Sequence, residues 1–147
     1  MNTRELKNKK VGFTSVVGDL MHAGHIQMIQ ECTQHCDYLI VGILNDPTID
    51  RPDSKEKPIQ SLFERYVQLV NTVGVDEVVP LNDEHDLELA LSMLPINIRF
   101  VGADYFGKDF TGKNICASRN IEIFYNNRLH GLSSTELKNR IRQTKGK

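Results

Sequence analysis

A single α/β domain, with a parallel sheet wrapped by helices on both faces, is the fold class this chain predicts. Three observations lead there. Short apolar runs alternate with longer segments of helical period along all 147 residues. The alternation repeats as five strand–helix units, the arrangement that builds a parallel sheet with crossover helices. One run, Tyr38-Leu39-Ile40-Val41-Gly42-Ile43-Leu44, is apolar at almost every position, as a strand covered on both faces must be. No internal repeat, low-complexity tract or linker divides the chain, and its length suffices for one ordinary core.

The elements follow in order. Residues 1–9 are polar and charged and read as a flexible N-terminal extension of the single domain 1–147. The run 11–17 is the first strand, and 24–36 the first helix, with Ile26, Ile29 and Cys32 on one side. After the second strand, 38–44, comes a polar loop over 45–57 holding Pro47 and Pro52, with Pro58 just beyond. The next helix, 61–73, places Leu62, Tyr66, Leu69 and Val73 at helical spacing, and Ser61 with Glu64 forms a capping box. A short strand spans 77–81. Helix 83–94 carries Leu87, Leu91 and Leu94 on one stripe and ends at Pro95. The fourth strand is 98–101, a short helix covers 112–119, and 121–125 is the fifth strand. Residues 133–142 close the chain as a helix, with Ser133 and Glu136 as a second capping box.

Composition narrows the function. With 18 basic and 19 acidic residues the net charge is −1, which lacks the basic excess of a nucleic-acid or membrane-surface protein. Three cysteines at unpaired spacings suggest reduced thiols rather than a disulfide framework. The first residues lack the apolar core of a secretory signal, and no segment reaches the length of a membrane span. A cytoplasmic protein is the expectation.

The most telling stretch is Gly18-Asp19-Leu20-Met21-His22-Ala23-Gly24-His25, which lies where the first strand has ended and a helix begins. The first backbone N–H groups of a helix lack intrahelical partners, and the dipole there favours negative charge. Two imidazoles three residues apart face the same side of that first turn. The small Ala23-Gly24 pair lets a group approach the backbone, so the stretch suits phosphate. The same pair could instead begin a metal site with Cys32, or His22 could simply cap the helix. Met21 and Met28 read as packing residues.

These residues carry a resemblance. His22-Ala23-Gly24-His25, with Asp19 three before it, resembles the HxGH motif of the nucleotidyltransferase superfamily. Arg128-Leu129-His130-Gly131-Leu132-Ser133-Ser134-Thr135 resembles the RTxGxSTT motif of its cytidylyltransferase branch. The resemblance spans about residues 10–141 and is nearest to the glycerol-3-phosphate and ethanolamine-phosphate cytidylyltransferases. It implies a Rossmann-like, doubly wound five-stranded sheet of order 3-2-1-4-5. In such sheets ligands bind outside the carboxyl ends of the strands where the order reverses. The special stretches each follow a strand, so they converge on one crevice.

The resemblance also implies roles. His22, His25, Lys57 and Arg128 are the expected catalytic group, with His25 on the α-phosphate. Val17, Gly18, Asp19, Ala23, Gly24, Gly102, Asp104, Gly131, Ser133, Ser134 and Thr135 complete the expected nucleotide site, Gly102 to Tyr105 lining base and ribose. Lys55, Lys57 and Arg65 are the expected acceptor ligands, with Arg51 behind them. Asp19 reads either as an imidazole partner or, preferably, as a loop clamp through backbone bonds. Ser133, Ser134 and Thr135 offer three hydroxyls where a cap uses one, and Arg128 offers a planar fork for phosphate oxygens. Mg2+ would arrive with the triphosphate, no metal ligand being assigned to the protein, and the family implies a homodimer.

The implied reaction transfers CMP from CTP to a small phosphorylated alcohol, first sn-glycerol 3-phosphate, then phosphoethanolamine or phosphocholine, releasing pyrophosphate. Departures bear on this. Val16-Val17-Gly18-Asp19 replaces the usual Gly-Thr-Phe-Asp or Gly-Ala-Phe-Asp, Leu129 replaces a threonine, and Val73 stands where the glycerol-phosphate enzymes have arginine. An ATP-using adenylyltransferase of the same superfamily, such as the heptose-phosphate enzymes, and a non-catalytic nucleotide-binding module remain as alternatives.

Overall fold

The computed structural model describes residues 1–127 and 131–146. Its five strands are β1 (Val11–Val16), β2 (Tyr38–Leu44), β3 (Glu77–Leu81), β4 (Ile98–Gly102) and β5 (Glu122–Asn126). They lie in the order β3-β2-β1-β4-β5, and every neighbouring pair is parallel. The expected order is thus the observed one, and the switch point falls between β1 and β4. The helices are α1 (Ala23–Thr33), α2 (Leu62–Val70), α3 (Glu84–Met93), α4 (Lys113–Ser118) and α5 (Ser134–Lys145). A 3-10 turn, Ala103–Tyr105, follows β4.

Alternation along the strands builds two cores. On one face Val11, Phe13, Ile40 and Leu81 pack with Leu87 and Leu91 of α3 and Cys116 of α4. On the other, Leu39, Val41, Ile43, Val78, Ile98 and Phe100 pack with Ile29 and Cys32 of α1 and Leu69 of α2. Met21 and Met28 pack against this second core. Burial on both faces explains why β2 reads as an unbroken apolar run.

The two helices on the second face are shorter than their periodicity suggests, and side chains near their ends explain it. Thr33 Oγ1 donates to the Gln30 carbonyl at 2.7 Å, and Cys36 Sγ to that of Cys32 at 3.3 Å. At the end of α2, Asn71 Nδ2 donates to the Val67 carbonyl and Thr72 Oγ1 to that of Gln68, both at 2.8 Å. Such local bonds compete with helix continuation. The chain then turns at Gly74, whose φ is +94°.

Residues 1–9 are anchored to the domain. Leu6 is buried in the first core, and the Met1 ammonium lies 4.0 Å from Glu77. Among the described residues no helix is long and apolar enough to cross a membrane. The outward face of α2 is apolar: Phe63, Val67 and Val70 are exposed, with Val73 just beyond the helix.

The second face is packed tightly against Gly12 in β1. A Cβ there would lie 2.7 Å from both Cys36 Sγ and Phe100 Cε2. Gly12→Ala is expected to cost about 1–3 kcal/mol through overpacking, read as a lower midpoint in urea unfolding.

Candidate active site

The chain leaves β1 through two left-handed residues, Gly18 with φ +70° and Leu20 with φ +49°. The turn brings His22 to the N-cap of α1, where its Nδ1 accepts from the Gly24 N–H at 3.0 Å. His25 reaches back, its Nδ1 accepting from the His22 N–H at 3.3 Å. The histidines therefore form a reciprocal capping box, a job usually left to Ser/Thr and Glu/Gln. Their ring centroids are 4.1 Å apart and the planes are tilted by 45°. An Nδ1 that accepts a hydrogen bond carries no proton, so these bonds place the neutral ring proton of each imidazole on Nε2.

Asp19 fixes what surrounds them. It is buried, and its two carboxylate oxygens accept from the Ile59 and Gln60 N–H groups, each at 2.9 Å. Leu20 N–H donates to Gln60 Oε1 at 2.7 Å, and the Asp19 carbonyl accepts from Ser134 Oγ at 2.8 Å. The loop-clamp reading of Asp19 is the one the geometry matches.

A pocket of about 800 Å3 opens at the carboxyl ends of the strands. It brings together Val17, His22, Gly24, His25, Lys55, Gly102, Asp104, Ser133 and Ser134 of the sequence-predicted residues. Gly18, Asp19, Ala23, Lys57, Arg65, Gly131 and Thr135 do not line it. Arg128 lies outside the described residues. Lys57 is exposed, and its charge reaches Asp46 in the pocket wall. The Asp46 carboxyl is held below its ordinary range chiefly by the Thr48 hydroxyl and N–H, with Lys57 and Arg65 adding.

Two expectations need correction. Arg65 is 1 % exposed, and its guanidinium donates to the carbonyls of Gln60, Val17, Leu44 and Asn45 at 3.1, 2.9, 2.6 and 2.7 Å. It holds the ends of β1 and β2 and the following loop together, and is no acceptor ligand. Burial lowers its pKa, yet a guanidinium stays charged. The hydroxyls at the start of α5 are also more committed than expected. Ser133 Oγ accepts from the Glu136 N–H at 3.0 Å, and Ser134 Oγ donates to Asp19. The carboxylate of Glu136 pairs with Arg140 at 2.7 Å.

The metal reading built on His22, His25 and Cys32 finds no support. Cys32 is fully buried, and burial pushes its thiol up to about 12, so it stays protonated near neutral pH. Among the described residues no three His, Cys, Asp or Glu side chains are grouped to hold a metal ion.

The comparisons with known proteins bear on this geometry. Residues 19–140 match the family described as cytidylyltransferase-like, which covers both the paired histidines and the start of α5. The chain belongs to the cytidylyltransferase-like family. It is 34% identical over 110 residues, 75% of its length, to the bifunctional protein HldE of Helicobacter hepaticus. It is 31% identical over 139 residues, 95% of its length, to the HldE of Campylobacter jejuni. It spans only 23% and 29% of those two proteins' lengths. Among solved structures, the lipopolysaccharide core biosynthesis protein of Thermoplasma volcanium superposes with a TM-score of 0.69 at 20% identity, over 84% of this chain and all of that one. The pantothenate synthetase of Thermus thermophilus gives 0.62 at 13%, over 90% of this chain and 64% of that one. Those two likenesses concern the fold.

Within this pocket Glu31 and Glu84 escaped sequence reasoning, whereas Arg51 and Tyr105 were named there without the partners they meet. Glu31 of α1 accepts from the Asn127 N–H at 3.2 Å, so α1 holds the chain as it leaves β5. Opposite, Arg51 pairs with Glu84 at 2.7 Å and donates to Tyr105 OH at 3.1 Å. Arg51, Glu84 and Tyr105 come from the loop after β2, the start of α3 and the turn after β4, and no local spacing announces that they meet.

Arg65→Leu would leave four backbone carbonyls without their donor. We expect it to destabilise the protein by at least about 3 kcal/mol, measured by urea unfolding, with Arg65→Lys recovering only part of the loss.

Proposed function

We propose that this chain transfers a nucleotidyl group from a nucleoside triphosphate to a phosphorylated hydroxyl compound, releasing pyrophosphate. The nucleotide is CTP and the acceptor a small phosphorylated alcohol, sn-glycerol 3-phosphate first. The paired imidazoles at the start of α1, bordering one pocket with the N-cap of α5, carry this reading. Two helix N-termini then face a polyanion, each with backbone N–H groups and the positive end of its dipole.

An acceptor phosphate oxygen attacks the α-phosphorus as the bond to the bridging oxygen of pyrophosphate breaks. The attacking group is already anionic near neutral pH, so the work is positioning and charge stabilisation rather than proton abstraction. His25, with its proton on Nε2, donates to an α-phosphoryl oxygen, and His22 to a neighbouring phosphate. Lys55 and Lys57, on the loop beside the pocket, balance charge between nucleotide and acceptor, and Arg128 takes the same part. The N-terminus of α5 holds the pyrophosphate end. Gly102 and Asp104 face the nucleoside. An Mg2+ ion arriving with the triphosphate would neutralise part of its charge.

A second reading, ATP with a sugar phosphate as acceptor, is favoured by the likeness to the HldE proteins. Pyrophosphate release across a matrix of CTP and ATP with phosphorylated alcohols and sugar phosphates separates the two. CTP with sn-glycerol 3-phosphate is expected to be the fastest pair; activity confined to ATP overturns the nucleotide assignment. His25→Ala is expected to lower turnover by about 10²–10³, as loss of one transition-state donor does. Its lost capping bond should cost only about 1 kcal/mol of stability, leaving the protein folded.

We also propose a homodimer through the exposed apolar face of α2, where Phe63 is 75% and Val73 81% exposed. Sedimentation equilibrium should report a dimer for the native chain and a monomer for Phe63→Glu. A native monomer would refute this.

A further inference from the structure

The face that α1 turns to the pocket changes its chemistry along the helix. Gly24, Met28 and Glu31 fall at i, i+4 and i+7, so they share one side, and all three line the pocket. At the start of the helix stand the two imidazoles and the positive end of its dipole, which suit phosphate. Met28 follows with an apolar thioether packed on the second core. Glu31 ends the stripe with a carboxylate, about 10 Å along the axis from Gly24.

The same carboxylate meets the strand ends on the side given above to the nucleoside. Gly102 of β4 pairs in register with Asn126 of β5, and both line the pocket. Asn126 is buried, and its Nδ2 donates to Glu31 Oε2 at 3.4 Å. The Asn127 N–H is shared between the two Glu31 oxygens at 3.2 and 3.3 Å. One side-chain amide and one backbone N–H thus hold the carboxylate from the β5 side. An ionised carboxylate offers about four acceptor positions and no donor, so these two groups leave capacity over. Glu31 is half-buried, and among the described residues no ion pair involves it. An acceptor without a cation, at the far end of a phosphate-binding face, is placed to meet a donor on the ligand.

We propose that Glu31 selects the nucleobase, accepting a hydrogen bond from an exocyclic amine and refusing a base with an oxo group there. This rests on the nucleotidyltransferase reading above and deepens it. Cytosine and adenine carry such an amine, whereas uracil and hypoxanthine carry an oxygen in its place. An acceptor set against an acceptor leaves both unpaired, which is worse than a missing contact. The negative charge also disfavours a triphosphate at this end, so phosphates lie toward the histidines and the base toward Glu31. Asp104, in the turn after β4, is left to the ribose hydroxyls that every ribonucleotide shares.

The test is calorimetric binding of Mg2+ complexes to the full chain in two matched pairs, CTP against UTP and ATP against ITP. Within a pair only the amine-for-oxo exchange and the ring proton that follows it differ. In the pair that binds more tightly, the native chain is expected to favour the amine by at least about tenfold. Glu31→Gln keeps an acceptor for the Asn127 N–H and gains a donor for an oxo group, so it should erase or reverse that preference. Glu31→Met, of similar length, removes the acceptor and should erase it as well. Asp104→Asn should weaken both members of a pair alike and leave their ratio in place. Equal binding of amine and oxo members by the native chain overturns the proposal while the nucleotidyltransferase reading stands. So does a ratio unchanged in Glu31→Gln, or in Glu31→Met should the first variant not fold. Binding of none of the four triphosphates overturns both. Base preference without pyrophosphate release, whatever acceptor is supplied, counts against the transferase reading and leaves Glu31 its role.

Discussion

The carboxylate of Asp19 joins what would otherwise be three separate loops. One oxygen accepts the Ile59 N–H and the other that of Gln60, while the carbonyl of the same residue receives Ser134 Oγ. The turn after β1, the end of the long loop after β2 and the first turn of α5 are thereby held to one point. Arg65 works beside it from beneath, binding the carbonyls that close β1 and β2. Together they set the position of the turn that carries the histidines. A buried carboxylate and a buried guanidinium are tolerated because backbone groups partner both Asp19 oxygens and all three Arg65 nitrogens.

Charge around the pocket follows a division of labour. Near α1 and α5 the positive contributors are helix N-termini and imidazoles, which can be redirected toward a ligand at small cost. Along the opposite wall the charges are full and already matched, Arg51 by Glu84 and Asp46 by its bonds from Thr48. α5 itself buries no residue, and apart from Ser134 its described ties include the exposed pair of Lys138 with Glu56 at 3.3 Å. That helix therefore owes its place to polar contacts more than to a core.

The five strands and the two faces were legible because apolar runs and β-branched residues report burial directly, as in 38–44. The strand order was not in the residues themselves and came from the likeness to a family. In α2 the spacing of Leu62, Tyr66, Leu69 and Val73 suggested the inward stripe, yet the helix turns Arg65 and Leu69 inward and leaves Val73 out. An arginine suits phosphate oxygens and backbone carbonyls equally well, so its type could not say which it would meet. Lys57 was preferred to Lys55 on its spacing to Arg65, yet Lys55 borders the pocket and Lys57 does not, because loop geometry rather than spacing decides which of them does. That Arg51 and Tyr105 meet Glu84, and Thr111 with it, was not legible because the set is assembled from the loop after β2, the start of α3 and the segment after β4.

The imidazole capping box ties two properties that most proteins keep apart. His22 and His25 start α1 as well as bordering the pocket, so replacing either one loosens the first turn of the helix whatever becomes of the chemistry. A duplicated copy of this chain relieved of its reaction would still lose a capping bond, about 1 kcal/mol, by giving up either histidine. Persistence of the pair in such a descendant would testify to an intact helix, and say nothing of turnover.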